Sequence, residues 1–552
     1  MKKNIKLYLA AGLIALTAVG CTDLDVTPES QYTTYPNSEA AVQAQMADIY
    51  FHLRGTLGRR YMEAQALSSD EWTAISFDGD YYDSGTYANT SEHNFTFTDA
   101  SIDWYEDVAK GITLTNVMLD NPDLNPELEA PAKAMRAYYT WILMDCFGDT
   151  PILDGFQTMP IERAPRAEVA RWIEKELLEA IPYLTEEVSE ETYGKPTKWM
   201  AEALLVKLYI NWPVYTADKV ENYDAASYSN EKLNDVVKWC DEIIESGKFD
   251  IAAGANGYLS KFYPNNGPQI KDFIYAMPYD AVSAQGFQYS RPRIWRQGRN
   301  DGNGGPGYFG SDIGKSTGGN FSMTPQMADL FTLPGDQRND HVLAGQIYMY
   351  DPVTFKKTTT PYLYKGQPVI LTKEIELKNG DEYIPYNSKA YPVECNTHNT
   401  GKDVHGWSQG YKSVKYFVIA DDFKNDRNQS NDLPIFRYAD ILLMKAEALV
   451  RGASDPKGQT AQELFNMIRS YAGAPTIDHK PTLEELLDER GREFFDENWR
   501  RNDMIRFGTF ENEYGFHLHN MPTARFDKSC RIFPIPESVL NKHTNWTQNP
   551  GF

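Results

Sequence analysis

Apolar residues recur at helical spacing in seven stretches of the chain. Between Pro131 and Cys146, PAKAMRAYYTWILMDC sets Ala134, Tyr138, Trp141 and Met144 on adjoining turns, and the pattern breaks at FGDTP. Ala167 to Leu184 repeats Val169, Ile173, Leu177 and Ile181 along one face. Thr197 to Trp212, TKWMAEALLVKLYINW, ends at Pro213, and Leu233 to Ile244 stops near Gly247. After a long interval the spacing returns over Tyr438 to Val450, Gln459 to Tyr471 and Leu483 to Asn498. Paired amphipathic helices with small residues at their close contacts predict degenerate tetratricopeptide-like hairpins. Each would bury against its neighbour a face it cannot bury alone.

From about Phe249 to Ser430 the helical period fades while Gly, Pro, Asn and aromatic residues rise. Short strand-like runs such as PVILTKEIEL stand between turn signals there. A tract that long and irregular inside a compact protein is usually functional. The chain closes on a proline-punctuated tail, IFPIPESVLNKHTNWTQNPGF.

Charge narrows the classes of partner. The 552 residues carry 54 Lys plus Arg against 77 Asp plus Glu, a formal balance of −23. Such a surface repels phosphate backbones, so nucleic acid is not expected as a partner. With 35 Tyr and 11 Trp, not every ring needs a place in the core, and surplus Tyr and Trp mark binding surfaces. The first twenty residues read as an export signal: a basic MKKNIK, the apolar run LYLAAGLIALTAVG, and then Cys21. Ala18, Val19 and Gly20 before that cysteine resemble a bacterial lipobox, although Ala18 stands where leucine is usual. The TDLD that follows resembles the surface-export signals of Bacteroidetes lipoproteins. The expectation is a lipid anchor at Cys21 on the outer membrane and the cell surface. Cys146, Cys240, Cys395 and Cys530 are too irregularly spaced for a zinc site or a disulfide framework.

Five blocks, in order, carry a family resemblance. AKAMRAYYTWILMDCFGDTPIL resembles an early signature helix of the SusD/RagB family, and YGKPTKWMAEALLVKLYI resembles its next hairpin. NDLPIFRYADILLMKAEAL is similar to the family's Tyr-Ala-Asp signature, and DERGREFFDENWRRNDMIRFG to its late arginine-rich helix. FPIPESVL with TQNPGF matches the terminal elements, Phe552 standing in place of a tyrosine. The resemblance implies a mostly α, SusD-like fold, in which tetratricopeptide-like hairpins carry an irregular, loop-rich ligand surface. It divides the chain into a signal peptide (1–20), an N-terminal region (21–248) and a C-terminal region with the ligand surface (249–552). It further implies a surface lipoprotein that binds oligo- or polysaccharide and hands it to a SusC-like TonB-dependent outer-membrane transporter, without catalysis and without a cofactor. Arg437, Tyr438, Asp440, Glu447, Arg492, Glu493 and Arg506 are expected to be scaffold contacts rather than ligand contacts.

A protein grips a sugar by laying an aromatic ring on its C–H face and placing carboxylates, amides or arginine at its hydroxyls. The stretch SSDEWTAISFDGDYYDSGTY, Ser68 to Tyr87, holds five rings and five acids without a clean period. In it Trp72, Tyr81 and Tyr82 are candidate platforms, and Asp78, Asp80 and Asp83 candidate hydroxyl acceptors. A second tract, SRPRIWRQGRNDGNGGPGYFG, offers Trp295 with Arg293, and Tyr308. Trp407 in DVHGWSQGY is a third. The alternative for Trp72 is a place in the core.

Two motifs are decoys. GSDIGKST leaves three residues between Gly310 and Gly314 where a phosphate loop needs four, and Phe309 stands where glycine is required. His517 and His519 lack a third ligand at useful spacing, so no metal is expected. Counting acids does not exclude a glycosidase carboxylate pair, but stacked helices are not the barrel or propeller such enzymes often use. Capture of peptide or glycoprotein, as in RagB-like members, is the alternative to glycan.

Overall fold

Side-chain caps start four of the principal helices in the computed structural model, which describes residues 38–81, 85–386, 398–515 and 524–552. By contact the chain forms two units, Met1–Gln45 and Met46–Phe552. The site and packing below belong to the second. The principal helices are α1 (Glu39–Phe51), α2 (Met62–Leu67), α3 (Tyr105–Leu119), α4 (Pro126–Phe147), α5 (Arg166–Ala180), α6 (Lys198–Ile210), α7 (Leu233–Glu245), α8 (Tyr438–Val450), α9 (Ala461–Ala472), α10 (Leu483–Glu493) and α11 (Arg500–Phe507). The Asn125 side chain accepts from the Leu128 amide at 3.0 Å to start α4, with Pro126 in the first turn, and Gly148 ends it at φ 77°. Thr460 with Glu463 and Thr482 with Glu485 form capping boxes on α9 and α10.

Neighbouring helices pack as the periodicity predicts. α3 lies on α4, α4 on α5, α6 on α7 and α8 on α9, while α7 against α8 joins the late helices to the early ones. α8 spans Tyr438–Val450, as expected. α1 and α3 were not evident from the pattern. In α3, β-branched Ile112, Thr113, Thr115 and Val117, together with Gly111, blur the helical signal. Gly111 is there for space, since a Cβ would come within 2.8 Å of the Tyr139 ring on α4. α10 stops at Glu493 rather than running to Asn498, because Asp496 (φ 58°) and Asn498 (φ 70°) turn the chain left-handed.

The irregular tract is built from short two-stranded ladders. PVILTKEIEL contributes to three of them, through Gln367–Pro368, Ile370–Leu371 and Glu376–Asn379. Two further ladders tie distant segments together. β1 (Trp72–Ala74) pairs antiparallel with β3 (Phe321–Met323), Trp72 opposite Met323, and β2 (Phe273–Met277) pairs with β4 (Leu433–Arg437).

Arginine-rich clusters lock the scaffold. Arg437 reaches Asp272, Glu493 and Glu497, each at 2.7 Å. Asp440 bridges Lys207 and Arg490, both at 2.7 Å, while Arg506 binds Glu447 at 2.9 Å and Asp503 at 2.6 Å. Arg492 pairs with Glu489 at 2.9 Å. All seven residues assigned to scaffold from the signature blocks are buried. Removing one partner from such a cluster strands a buried charge, at a cost of roughly 3–5 kcal/mol.

Candidate functional site

Four of the predicted sugar contacts belong to the core. Trp72 and Arg293 are each 1% exposed, and Trp295 and Tyr308 are fully buried. The Trp72 indole stacks on Phe495 with centroids 5.6 Å apart, and its Nε1 donates to Asp496 Oδ1 at 2.9 Å. Arg293 Nε donates to the same oxygen at 2.8 Å, and the Tyr289 hydroxyl to Asp496 Oδ2 at 2.6 Å. The left-handed turn after α10 aims this carboxylate inward, where it collects three donors. Trp295 packs edge-on against Tyr362 and Tyr364, its Nε1 donating to Ser408 Oγ at 3.2 Å, and its amide donates to the Tyr308 hydroxyl at 3.3 Å. Trp407, half-buried, packs its edge on Trp295 at 6.3 Å. The Trp72 and Trp295 rings, with faces and polar tips already engaged inside the protein, cannot stack on a ligand.

The remaining predicted residues cluster around a tight turn. Phe77 and Asp80 exchange backbone hydrogen bonds at 3.0 and 3.1 Å across Asp78 (φ 49°) and Gly79 (φ 88°). Two successive positive φ values are what a two-residue hairpin turn demands, and an Asp-Gly pair supplies them readily. The Asp78 carboxylate accepts from Asn399 Nδ2 at 3.0 Å, Lys378 Nζ at 3.2 Å and the Lys402 amide at 3.1 Å. The Asn399 hydrogen bond leads in holding its pKa below the usual carboxylate range. Asp80 pairs with Lys402 at 2.7 Å and faces Arg296 at 3.7 Å, and the Lys402 hydrogen bond likewise lowers its pKa. Both acids are ionised acceptors on an accessible rim.

Tyr81 follows at φ 62°, half-buried, with the Arg296 guanidinium 4.1 Å from its ring centroid. It borders a cavity of about 220 Å³ shared with Arg59, Glu63, Tyr87, Arg291 and Asn320. Gly318 lets this wall close up: a Cβ there would sit 3.2 Å from the Tyr81 ring and 2.9 Å from Asn320 Oδ1. Burial pushes the Glu63 carboxyl up, and Arg59, Arg293 and Arg291 pull it partly back. Tyr87 donates to Glu63 at 3.2 Å, and Arg59 Nε stands 3.7 Å from it. Asn320 is 3% exposed, yet its Nδ2 has no hydrogen-bond partner among the described residues. Buried polar groups rarely stay unpaired, so this amide is a donor waiting for a ligand or a water. The cavity is below the ~300–1,000 Å³ of enclosed small-molecule pockets, and fits one part of a larger ligand.

The structure therefore brings Asp78, Asp80 and Tyr81 together and separates them from Trp72, Arg293, Trp295 and Tyr308. Tyr82 and Asp83 lie outside the described residues, as do Cys21, Cys395, His517 and His519. Among the described residues no cluster of His, Cys, Asp and Glu is placed to hold a metal ion. No described helix is long and apolar enough to cross a membrane. Arg59, Glu63 and Asn320 were not among the predicted site residues. The usable signal was the Arg59 to Glu63 spacing of four, with Arg59 on a π-helical turn (Thr56–Tyr61), a feature frequent at functional sites.

Comparison with known proteins gives the decisive observation: the sequence model of the SusD family matches residues 271–552. The chain belongs to the SusD family. A second model, described as "Starch-binding associating with outer membrane", matches residues 24–210. The starch-binding protein SusD of Bacteroides thetaiotaomicron is 23% identical over 602 aligned positions, covering 100% of this chain and 99% of that one. Surface glycan-binding protein A from Bacteroides fluxus shares the fold at a TM-score of 0.65 and 19% identity, covering 94% and 100% of the two chains. The B. thetaiotaomicron surface glycan-binding protein A in complex with laminarihexaose aligns at 0.63 and 17% identity, over 93% and 99%. These relatives bear the names of binding proteins.

Proposed function

We propose that this SusD-family protein captures oligo- or polysaccharide at the outer membrane surface and passes it to a SusC-like TonB-dependent transporter, held to the membrane by a lipid on Cys21. One observation carries the glycan reading. At the Tyr81 cavity an aromatic face, a buried carboxylate, two guanidinium groups and an unpartnered amide donor converge within one small space. That is the mixture a sugar requires: a flat ring for its C–H face, and both donors and acceptors for its hydroxyls. The rim acids Asp78 and Asp80 extend the acceptor set, and Tyr82 and Asp83 are adjacent in sequence. The names of the relatives, starch-binding in one case and a laminarihexaose complex in another, point the same way.

The test is affinity electrophoresis of the soluble chain beginning after Cys21 against plant, host and microbial polysaccharides, with the products assayed for new reducing ends. Retardation by one class without cleavage is expected. Retardation by none, with retention of peptides or glycoproteins instead, would replace glycan by peptide cargo. Transporter delivery is tested by co-purification of the lipidated protein with a TonB-dependent partner from outer membranes.

A further inference from the structure

A larger cleft, about 610 Å³, shares no lining residue with the Tyr81 cavity. It lies in the irregular tract, between the Tyr258–Phe262 turn, the Gln337–His341 turn and the loop Asp351–Lys356. Its volume falls within the ~300–1,000 Å³ usual for small-molecule sites.

Its chemistry is specific. His341 is 2% exposed and borders the cleft, and neither ring nitrogen has a hydrogen-bond partner among the described residues. Tyr258 and Phe262 brace the imidazole, with centroids 5.7 and 5.3 Å away. Burial, with Lys415, Arg338 and Arg437 nearby, drives its pKa well down, so the ring is neutral and presents one N–H donor and one acceptor. Much of the remaining lining is aromatic. Phe355 sits at φ 59°, a conformation a bulky residue rarely adopts, and meets Tyr263 at 5.2 Å and Phe417 at 5.0 Å. Asp351 Oδ1 holds that loop by accepting from the Val353 and Thr354 amides at 3.0 and 2.7 Å. The principal charges are already matched: Lys357 pairs with Asp340 and Lys415 with Glu497, each at 2.6 Å, while Lys356 stands exposed at the mouth.

The neutral imidazole has one N–H to donate and one nitrogen to accept, and the charged groups that line the cleft beside it, Asp340, Lys357 and Lys415, are already paired. A hydroxyl both donates and accepts, so it suits a neutral imidazole. The half-buried Phe355 and Tyr263 rings suit the apolar face beside it. We propose that this cleft is a second ligand site, taking one uncharged polyhydroxylated ring, such as a single sugar unit of an oligosaccharide, with its apolar face against Phe355 and a hydroxyl at His341. This goes beyond the Tyr81 site and does not depend on it.

The test uses the full chain after Cys21, with ¹³Cε1-labelled histidine. Of its nine histidines, the His341 signal is assigned by loss in His341→Asn. Titration is with maltohexaose, laminarihexaose, xylohexaose and mannohexaose. At least one is expected to move the His341 signal saturably, equally in wild type and in Tyr81→Ala. Phe355→Ala is expected to weaken that binding about tenfold, the effect of losing ~1.4 kcal/mol. A His341 signal unmoved by all four, or moved only while Tyr81 is intact, would overturn the proposal. If Phe355→Ala fails to fold, the wild-type and Tyr81→Ala titrations still decide. Failure of the glycan reading would show separately, as loss of polysaccharide retardation by the wild-type chain.

Discussion

The Trp72 indole donates to Asp496 at 2.9 Å across 424 positions of sequence. It ties the segment after α2 to the turn after α10, and Glu71 adds a second tie by accepting from the Asp496 amide at 2.8 Å. A ring placed in this way holds the scaffold beneath the binding surface and does not face the ligand.

Trp72→Ala is accordingly expected to destabilise the fold by about 3–5 kcal/mol, the usual cost of emptying a large aromatic site. Trp72→Phe keeps most of the packing and leaves one Asp496 oxygen short of a donor, at a cost of about 1–3 kcal/mol. Denaturant unfolding measures both. Glycan affinity of folded Trp72→Phe should equal that of wild type.

Glu202 makes stability fall with pH. It is fully buried on α6, and burial, reinforced by the neighbouring Glu242, pushes its pKa up from 4.5 to about 8. Between those values the folded state holds a proton that the unfolded chain has released. The contribution is therefore complete below pH 4.5 and lost as pH rises through about 8. Glu202→Gln should match wild type near pH 4.5 and exceed it at pH 9 by several kcal/mol, on the order of 1.4 kcal/mol for each pH unit between the two values, read from unfolding midpoints against pH.

Lys412 acts with the opposite sign. Its ammonium nitrogen is buried and donates at 2.9 and 2.6 Å to the carbonyls of Gly319 and Phe321, the two neighbours of Asn320 in sequence, and to Ser322 at 3.0 Å. Burial lowers its pKa from 10.5 to about 7. Between pH 7 and 10.5 the unfolded chain binds the extra proton, so stability from this group rises with pH. The stability of wild type relative to Lys412→Met should increase across that window, as thermal melts would show.

The scaffold was legible because its signals are local. α8 carries its apolar residues within one thirteen-residue run, and α4 announces its end at Phe147-Gly148. The fates of Trp72 and Trp295 were not legible, because Asp496 and Ser408 decide them from 424 and 113 residues away. Whether an indole is a platform or a core residue depends on such partners, and composition is blind to them. The Asp78-Gly79 pair did announce its turn, yet the surrounding aromatic crowding obscured it. Asn320 gave no sign and Glu63 only its spacing of four from Arg59, since each becomes a site residue only when α2, β3 and the Tyr81 turn meet.

The most direct test of the account is calorimetric titration of whichever glycan the electrophoresis identifies, comparing wild type with Tyr81→Ala, Asn320→Ala and Trp295→Phe at matched unfolding temperature. The account predicts that Tyr81→Ala and Asn320→Ala each lose about tenfold or more in affinity, on the order of 1.4 kcal/mol, while Trp295→Phe binds as wild type. Undiminished binding by Tyr81→Ala and Asn320→Ala together would contradict it and move the site elsewhere on the molecule.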